Sequence, residues 1–178
     1  NVISSLVDEE HLYTTDLLQQ VDPQLVDIDL SQQSEVTVTL SNDVYIRQGA
    51  SLSIHKSGPL GFLVADDSTV IRKILKDLIA SLNATVVGEA ITGREAISQY
   101  KKLAPDVVVM DLSMPDMTGL DAIAAILEFN PRANIIVLSG SNFPETRKEA
   151  FELGAKMFIP KPFDLERVHG AIHSLLKS

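Results

Sequence analysis

Short apolar runs alternate with helically spaced apolar positions from residue 60 to the end of the chain. The predicted strands are 60–65, 85–90, 106–110, 133–138 and 156–159. The predicted helices are one that places Val70, Ile74, Leu78 and Ile79 on one side, followed by 93–103, 119–129, 144–153 and 164–176. Short strands that are apolar on both faces and separated by helices indicate a parallel sheet covered by helices on both sides.

Five strand–helix units in residues 58–178 predict an α/β fold with a five-stranded, doubly wound parallel sheet in the flavodoxin-like strand order. Residues at the helix ends agree with this assignment. Ser68 or Asp67 can cap the first helix, Pro144 suits a first helical turn, and Gly154 follows the fourth helix.

Residues 1–57 have a different pattern and predict a small α+β segment. A helix is expected at 8–21, and strands are expected at 25–30, 35–40, 44–47 and 51–55. The segment has nine acidic and two basic residues, a net charge of −7, whereas residues 58–178 have a net charge of −2. The charge changes at a Ser-Gly-Pro break, so we predict a domain boundary between residues 57 and 58. So small a unit needs support, and we expect docking or homodimerisation through 1–57.

Composition and charge exclude several classes of protein. The chain has 178 residues, 45% of them hydrophobic, so it can form a packed core. A net charge of −9 argues against direct nucleic-acid binding, which needs clustered basic residues. The chain has no cysteine, which excludes a disulfide framework, and its apolar runs are too short to span a membrane. We therefore expect a cytoplasmic protein without membrane insertion.

Polar residues follow four of the five predicted strands. They are Asp66 and Asp67 after the first strand, Asp111 after the third, Ser139 after the fourth and Lys161 after the fifth. In a doubly wound sheet, ligands bind beyond the carboxyl ends of the strands, so these side chains are expected to converge there. Each residue alone has a structural explanation, as a helix cap, a turn residue or an exposed loop lysine.

Three crowded carboxylates repel each other and call for a cation. Oxygen ligands of this kind suit Mg²⁺, which retains several waters and takes one or two carboxylates plus a phosphate. Asp67 and Asp111 are the predicted direct ligands, with Asp66 acting directly or through water and the backbone carbonyl of Ser113 completing the site.

With a metal bound, Asp111 can act as a nucleophile toward a phosphoryl group and form an acyl phosphate. Lys161 would neutralise charge on the transferred group, and the Ser139 hydroxyl would donate to one of its oxygens.

Four stretches carry a resemblance to a known family: LVADDST at 63–69, VVVMDLSMPDMTGLDA at 107–122, IIVLSGS at 135–141 and GAKMFIPKPF at 154–163. They closely resemble the receiver domain of bacterial response regulators of the chemotaxis-regulator type, in the family's order and spacing, over about two thirds of the chain. An acidic pair alone is weak evidence, whereas the joint pattern is specific.

The resemblance implies a role for each matching residue. Asp66 and Asp67 match the acidic pair for Mg²⁺, Asp111 matches the phosphoacceptor, and Lys161 matches the pocket lysine. It also implies that Ser139 is the hydroxyl switch. The remaining matches are Phe158 at the aromatic switch position and Lys161–Pro162 at a peptide that is cis in the family and would help to aim the lysine. Phe158 lacks the hydroxyl of some relatives, so a core aromatic is an equally good interpretation.

The resemblance further implies a response regulator of a two-component phosphorelay. Its partners would be a sensor histidine kinase or phosphotransfer protein and a downstream protein target. The chain would not be an enzyme, beyond catalysing its own phosphorylation and dephosphorylation. Switching would repack the face formed by 145–153, 157–159 and the last helix.

Three alternatives remain. A degenerate receiver would bind proteins independently of phosphorylation. Hydrolases with an aspartyl-phosphate intermediate need an acid two residues after the nucleophile, where this chain has Ser113. A flavin-binding protein of this fold would place its phosphate where Asp66 and Asp67 would repel it.

Overall fold

The computed structural model describes residues 36–38, 44–54 and 57–177. The strands in these ranges are β1 Val36–Val38, β2 Tyr45–Arg47, β3 Gly61–Ala65, β4 Thr85–Ala90, β5 Val107–Asp111, β6 Ile135–Ser139 and β7 Met157–Pro160. The helices are α1 Thr69–Ser81, α2 Gly93–Leu103, α3 Gly119–Phe129, α4 Pro144–Leu153 and α5 Leu165–Lys177.

All described strands belong to one sheet, in the order β1-β2-β7-β6-β5-β3-β4. The five strands β3 to β7 are parallel and have the predicted doubly wound order. Strand β2 pairs antiparallel with β7, and β1 pairs antiparallel with β2. The α/β prediction is therefore confirmed, and the sheet carries an added hairpin at the β7 edge.

Two hydrophobic cores lie on opposite faces of the sheet. One is formed with α2, α3 and α4 and includes Tyr100, Ile126 and Phe151. The other is formed with α1 and α5 and includes Ile79 and Ile172. Strands β3, β5, β6 and β7 are buried along their whole length, as expected of strands covered on both faces. Strand β4 is only partly buried, because it lies at the edge of the sheet.

The helix ends follow local chemistry. Ser68, rather than Asp67, caps α1 by accepting a hydrogen bond from the amide of Ile71. Pro144 lies in the first turn of α4, and Gly154 ends that helix with a φ of 125°, in a region that favours glycine. Within the described ranges, no helix has the length and apolar character needed to cross a membrane.

The N-terminal predictions have mixed outcomes. Strands β1 and β2 lie within the predicted strands 35–40 and 44–47. The strand predicted at 51–55 is wrong for 51–54, which have no strand structure. The predicted helix 8–21 and strand 25–30 lie outside the described residues. The boundary after residue 57 stays a prediction, although the hairpin belongs to the same sheet as β3 to β7.

A polar group at the amino ends of the strands explains why 51–54 do not form a strand. The Ser53 amide donates to Asn134 Oδ1 at 2.9 Å, and Asn134 Nδ2 donates to the carbonyl of Ser53 at 3.2 Å and to that of Asp106 at 2.8 Å. Lys156 Nζ donates to the same Asn134 Oδ1 at 2.6 Å. We call Ser53, Asn134 and Lys156 the amide cluster. The backbone of Ser53 is therefore bonded to a side chain instead of to a neighbouring strand.

Candidate functional site

The predicted site residues meet at the carboxyl ends of the parallel strands. Asp66 follows β3, Asp111 ends β5, Ser139 ends β6 and Lys161 follows β7. Asp111 and Ser139 are thus the last residues of their strands instead of the residues after them. Strands β3, β5, β6 and β7 begin one or two residues later than predicted, because an apolar run marks burial and not the limits of strand pairing, whereas β4 has the predicted limits. We call these four residues together with Asp67 the acidic pocket.

The three aspartates of the acidic pocket offer carboxylate oxygens that all lie within 4.8 Å of one another. Asp66 and Asp111 are buried, and Asp67 is exposed. The amide of Ser68 donates to Asp66 Oδ1 at 2.8 Å, and the amide of Ser113 donates to Asp111 Oδ1 at 3.2 Å. The backbone therefore fixes both buried carboxylates, while Asp67 remains open to solvent.

Lys161 joins two of the three acids. Its Nζ lies 2.7 Å from Asp66 Oδ2 and 3.4 Å from Asp111 Oδ1. One ammonium group offsets only one of three carboxylate charges, so the fully ionised pocket is strongly negative. Lys161 is joined to Pro162 by a cis peptide bond, as the resemblance implied.

Burial raises the pKa of Asp111 above its ordinary value, and the charge of Asp66 adds to this. The amide of Ser113 and the ammonium of Lys161 act in the opposite direction, because both stabilise the carboxylate. Desolvation is the largest of these effects. The surroundings of Asp111 therefore stabilise its charged form less well than water does.

Ser139 and Phe158 lie on the adjacent strands β6 and β7, where Ser139 pairs with Pro160 and Phe158 pairs with Val137. Ser139 is fully buried, its Oγ accepts a hydrogen bond from the amide of Ser141 at 3.0 Å, and its carbonyl accepts one from the amide of Lys161 at 2.6 Å. Phe158 is also fully buried and contacts Tyr45 edge to face, with ring centroids 6.4 Å apart. The hydroxyl and the aromatic ring thus occupy the predicted positions, and their roles as switches stay predictions.

Sequence reasoning missed two residues that support the site. Arg72 donates from Nη1 to the carbonyl of Asp66 at 2.8 Å and from Nε to Glu89 Oε1 at 3.0 Å, which ties β3, α1 and β4 together beneath Asp66. Asp116 has a φ of 76°, and its carboxylate accepts from the amides of Gly93 and Arg94 at 3.0 and 3.2 Å. Its position in the loop after β5 was a signal, since aspartate tolerates this backbone region and caps helices.

Gly119 permits a close approach of α3 to the backbone of Asp111. A Cβ atom at this position would lie 2.2 Å from the carbonyl oxygen of Asp111 and 2.5 Å from Cα of Leu112. The Gly119 amide donates to the carbonyl of Leu112 at 3.0 Å. The start of α3 therefore packs directly on the backbone of Asp111, which only glycine allows.

The chemistry of the donors fits a hard divalent cation. Three carboxylates supply oxygen atoms only, and two of them are fixed by backbone amides. Mg²⁺ prefers such ligands and keeps part of its water shell, for which the exposed side of Asp67 gives room. The amide of Ser113 faces Asp111, and the use of its carbonyl as a ligand stays a prediction.

Comparison with known proteins gives the same assignment. The family model described as "Response regulator receiver domain" matches residues 62–173. A chemotaxis protein CheY of Thermotoga maritima is 45% identical over 115 residues, which cover 65% of this chain and 96% of that protein.

Solved structures extend the comparison. CheY in a CheX-CheY-BeF3-Mg+2 complex from Borrelia burgdorferi is 32% identical, with a TM-score of 0.64 over 66% of this chain and 89% of that one. The response regulator domain of Thermotoga maritima CheB is 31% identical, with a TM-score of 0.60 over 67% of this chain and 95% of that one. The family model begins at residue 62 and so does not include residues 1–57. Fold, pocket and sequence agree, and the chain belongs to the response regulator receiver family.

Proposed function

We propose that this chain is a response regulator of a two-component phosphorelay in which Asp111 accepts a phosphoryl group. The donor would be a sensor histidine kinase or a phosphotransfer protein in the cytoplasm. The observation that carries the proposal is the meeting of a buried carboxylate, two further carboxylates and Lys161 at one edge of the sheet. The membership of two-component signalling follows from the family, and the phosphotransfer chemistry is inferred from these contacts.

In the proposed step, a carboxylate oxygen of Asp111 attacks the phosphorus of a phosphohistidine. The new O–P bond makes an acyl phosphate, the P–N bond breaks, and the leaving imidazole nitrogen takes a proton. The Ser113 amide and Lys161 hold Asp111 Oδ1, so the carboxylate has a fixed orientation before the donor arrives. In this proposal the only reactions that the chain catalyses are its own phosphorylation and dephosphorylation.

Asp66, Asp67 and Asp111, with the carbonyl of Ser113, would hold Mg²⁺. When bound, the ion would offset carboxylate repulsion and neutralise charge developing on the phosphoryl oxygens. Lys161 supplies a second positive charge on the side of Asp66 and Asp111, where its Nζ already lies. The raised pKa of Asp111 indicates that the ionised carboxylate needs this compensation.

Ser139 would change its hydrogen bonding when Asp111 is phosphorylated. In the unphosphorylated chain its Oγ accepts from the Ser141 amide, and it sits on the strand next to Lys161. A phosphoryl group on Asp111 offers strong acceptors, so the hydroxyl would rotate to donate to one of them. The face formed by α4, β7 and α5 would then repack and present a changed surface to a downstream protein.

Reaction with acetyl phosphate and Mg²⁺ tests the proposal. Intact mass spectrometry should show one added phosphoryl group on the parent chain, a loss of the signal on chelation of Mg²⁺, and no addition to Asp111→Asn. Asp77→Asn, on the exposed side of α1, is the matched control and should react like the parent.

Failure of the parent chain to react in Mg²⁺ would reject this function. A degenerate receiver that binds proteins without phosphorylation would then be the better interpretation. Reaction of Asp111→Asn at the parental rate would place the acceptor elsewhere.

A further inference from the structure

Residues 44–54 dock onto the edge of β7, which the proposed function assigns to the output face. Strand β2 pairs with β7 through Tyr45 opposite Phe158 and Ile46 opposite Met157. The amide of Arg47 also donates to the carbonyl of Lys156 at 3.0 Å. An added strand of this kind is how many proteins bind an extended peptide at an open sheet edge.

The docked segment covers both faces of β7. Tyr45 is buried in the core on the α4 side, where it contacts Phe158. Val44 and Leu52 are buried in the core on the α5 side, which also contains Met157 and Ile172. A protein that reads the edge of β7 would have to displace these residues.

Tyr45 also rests on α4. The guanidinium carbon of Arg147 lies 4.1 Å from the centroid of the Tyr45 ring, which makes a cation–π contact between the two side chains. Arg147 is itself buried, and its Nη1 donates to the carbonyl of Asn142 at 2.8 Å. The position of Tyr45 therefore depends on the loop that connects β6 to α4.

That loop begins at the proposed switch hydroxyl. Ser139 Oγ accepts a hydrogen bond from the amide of Ser141. The next residue is Asn142, whose carbonyl accepts a hydrogen bond from Arg147. If Ser139 turns toward a phosphoryl group, it gives up the Ser141 amide, and the loop that anchors Arg147 loses one of its restraints. The contacts thus form a continuous path from Ser139 to Tyr45, and a phosphoryl group on Asp111 would supply the remaining link.

We propose that residues 44–54 are an intramolecular ligand of the output face, docked on β7 in the unphosphorylated chain and released on phosphorylation through Ser139, the 140–143 loop and Arg147. The inference rests on the proposed function. Release has to break the pairing of β2 with β7 and the bonds of Ser53 to Asn134, so a change at Arg147 shifts the docking equilibrium without being the whole of it. After release, the edge of β7 between α4 and α5 would be open to a downstream protein.

Hydrogen exchange on the full chain tests the release. Amide protection of 44–54 is compared in Mg²⁺ alone and in Mg²⁺ with beryllofluoride, a phosphoryl mimic whose binding is scored in the same samples by fluorine NMR. We expect exchange of the Arg47 amide to become at least about fivefold faster with the mimic, the lower end of typical coupling. Asp111→Asn should not respond.

The two proposals fail in different ways. If the mimic binds and the protection of 44–54 is unchanged or increased, the release is refuted and the proposed function stands. If the mimic does not bind, the proposed function fails and the release fails with it.

Two variants test the path. Arg147→Lys keeps the charge but loses the planar group that stacks on Tyr45, so 44–54 should respond less to the mimic while the mimic still binds. Arg47→Pro removes the amide that bonds to Lys156, weakens docking and, by reciprocity, should raise mimic affinity at least about fivefold. Gln48→Ala, an exposed turn position, is the control and should behave like the parent.

An Arg47→Pro chain with faster exchange at 44–54 but parental mimic affinity would show that docking and the pocket are independent. A full parental response in Arg147→Lys would remove Arg147 from the path.

Discussion

Two buried or half-buried lysines lie at opposite ends of the same strands and have different partners. Lys161, at the carboxyl ends, contacts the carboxylates of Asp66 and Asp111. Lys156, at the amino ends, donates to the neutral amide of Asn134, and burial together with the nearby charge of Arg47 lowers its pKa. The difference teaches that charge crowding, and not the presence of a buried lysine, distinguishes the acidic pocket, for which we propose a reaction, from the structural amide cluster.

The two clusters differ in whether their own residues satisfy all of their hydrogen bonds and compensate all of their charges. In the amide cluster, the Asn134 side chain forms hydrogen bonds with the Ser53 backbone, the Asp106 carbonyl and Lys156. Its polar atoms are satisfied without any added group. In the acidic pocket, two carboxylate charges remain after Lys161 is counted, and only an added cation or a proton removes their repulsion.

The largest expected difference is in the rate of phosphorylation. Lys161→Met removes the cation next to Asp111, so the rate of acetyl phosphate reaction should fall about 100- to 1000-fold. Lys156→Met is the matched variant and should leave the rate within about twofold, a margin well below one tenfold step of 1.36 kcal/mol. Equal losses in both variants, measured by intact mass over time, would contradict a distinction between the two lysines.

The second largest expected difference between the two clusters is in their effect on Mg²⁺ affinity. Asp66→Asn removes one charge from the pocket and should weaken Mg²⁺ at least about tenfold in isothermal titration. Asn134→Ala changes only the amide cluster and should bind Mg²⁺ as the parent does. Parental affinity in Asp66→Asn would show that Asp67 and Asp111 suffice.

Asn134→Ala should instead lower stability. Lys156 and the Ser53 amide lose their acceptor, the Asp106 carbonyl loses a donor, and the free energy of unfolding should fall by about 2 kcal/mol. Urea denaturation measures this change, with the exposed Ser98→Ala as control. An unchanged free energy would mean that water replaces these bonds without loss.

The smallest expected effect is a gain in stability when the charge of Asp111 is removed. The folded pKa of Asp111 is raised above the ordinary 3.8, so without metal the folded chain holds this proton more tightly than the unfolded chain. Its contribution is fully present below pH 3.8 and is lost as pH rises through the folded pKa. Asp111→Asn should therefore be more stable than the parent at pH 7, by about 1 kcal/mol or about 2–4 °C in Tm.

Thermal unfolding in a chelator measures this gain at several pH values. The advantage of Asp111→Asn should shrink in acid and in saturating Mg²⁺, whereas Asp77→Asn should show neither dependence. A gain that is the same at all pH values would have another origin than the charge of Asp111.

The sequence predicts the receiver fold almost completely, because its strands are uniformly apolar and its helices begin and end at strong signals. The predicted helices 93–103, 119–129 and 144–153 have the observed limits. The pocket is also predictable, since parallel strands bring their carboxyl ends to one edge. Asp66, Asp111, Ser139 and Lys161 therefore meet although they are distant along the chain.

The pairing of residues 44–47 could not be predicted. An alternating pattern predicts which side of a strand is buried, but it does not predict which strand pairs with it. Tyr45 in particular has no sequence signal for Phe158 or Arg147, because its contacts depend on where the sheet ends. Arg72 was missed for a similar reason. Its position among the polar residues of a helix does not predict that its side chain bonds to the carbonyl of Asp66.

The alternation of side chains along β7 sets a limit on insertions and deletions. Phe158 packs into the core beneath α4, while Met157 and Ile159 pack into the core beneath α5. A single residue added or removed between 157 and 161 would move the residues that follow it to the opposite face and turn Lys161 away from Asp66 and Asp111. Point substitutions in β7 are tolerable where volume is conserved, but the length of this stretch is not free to vary.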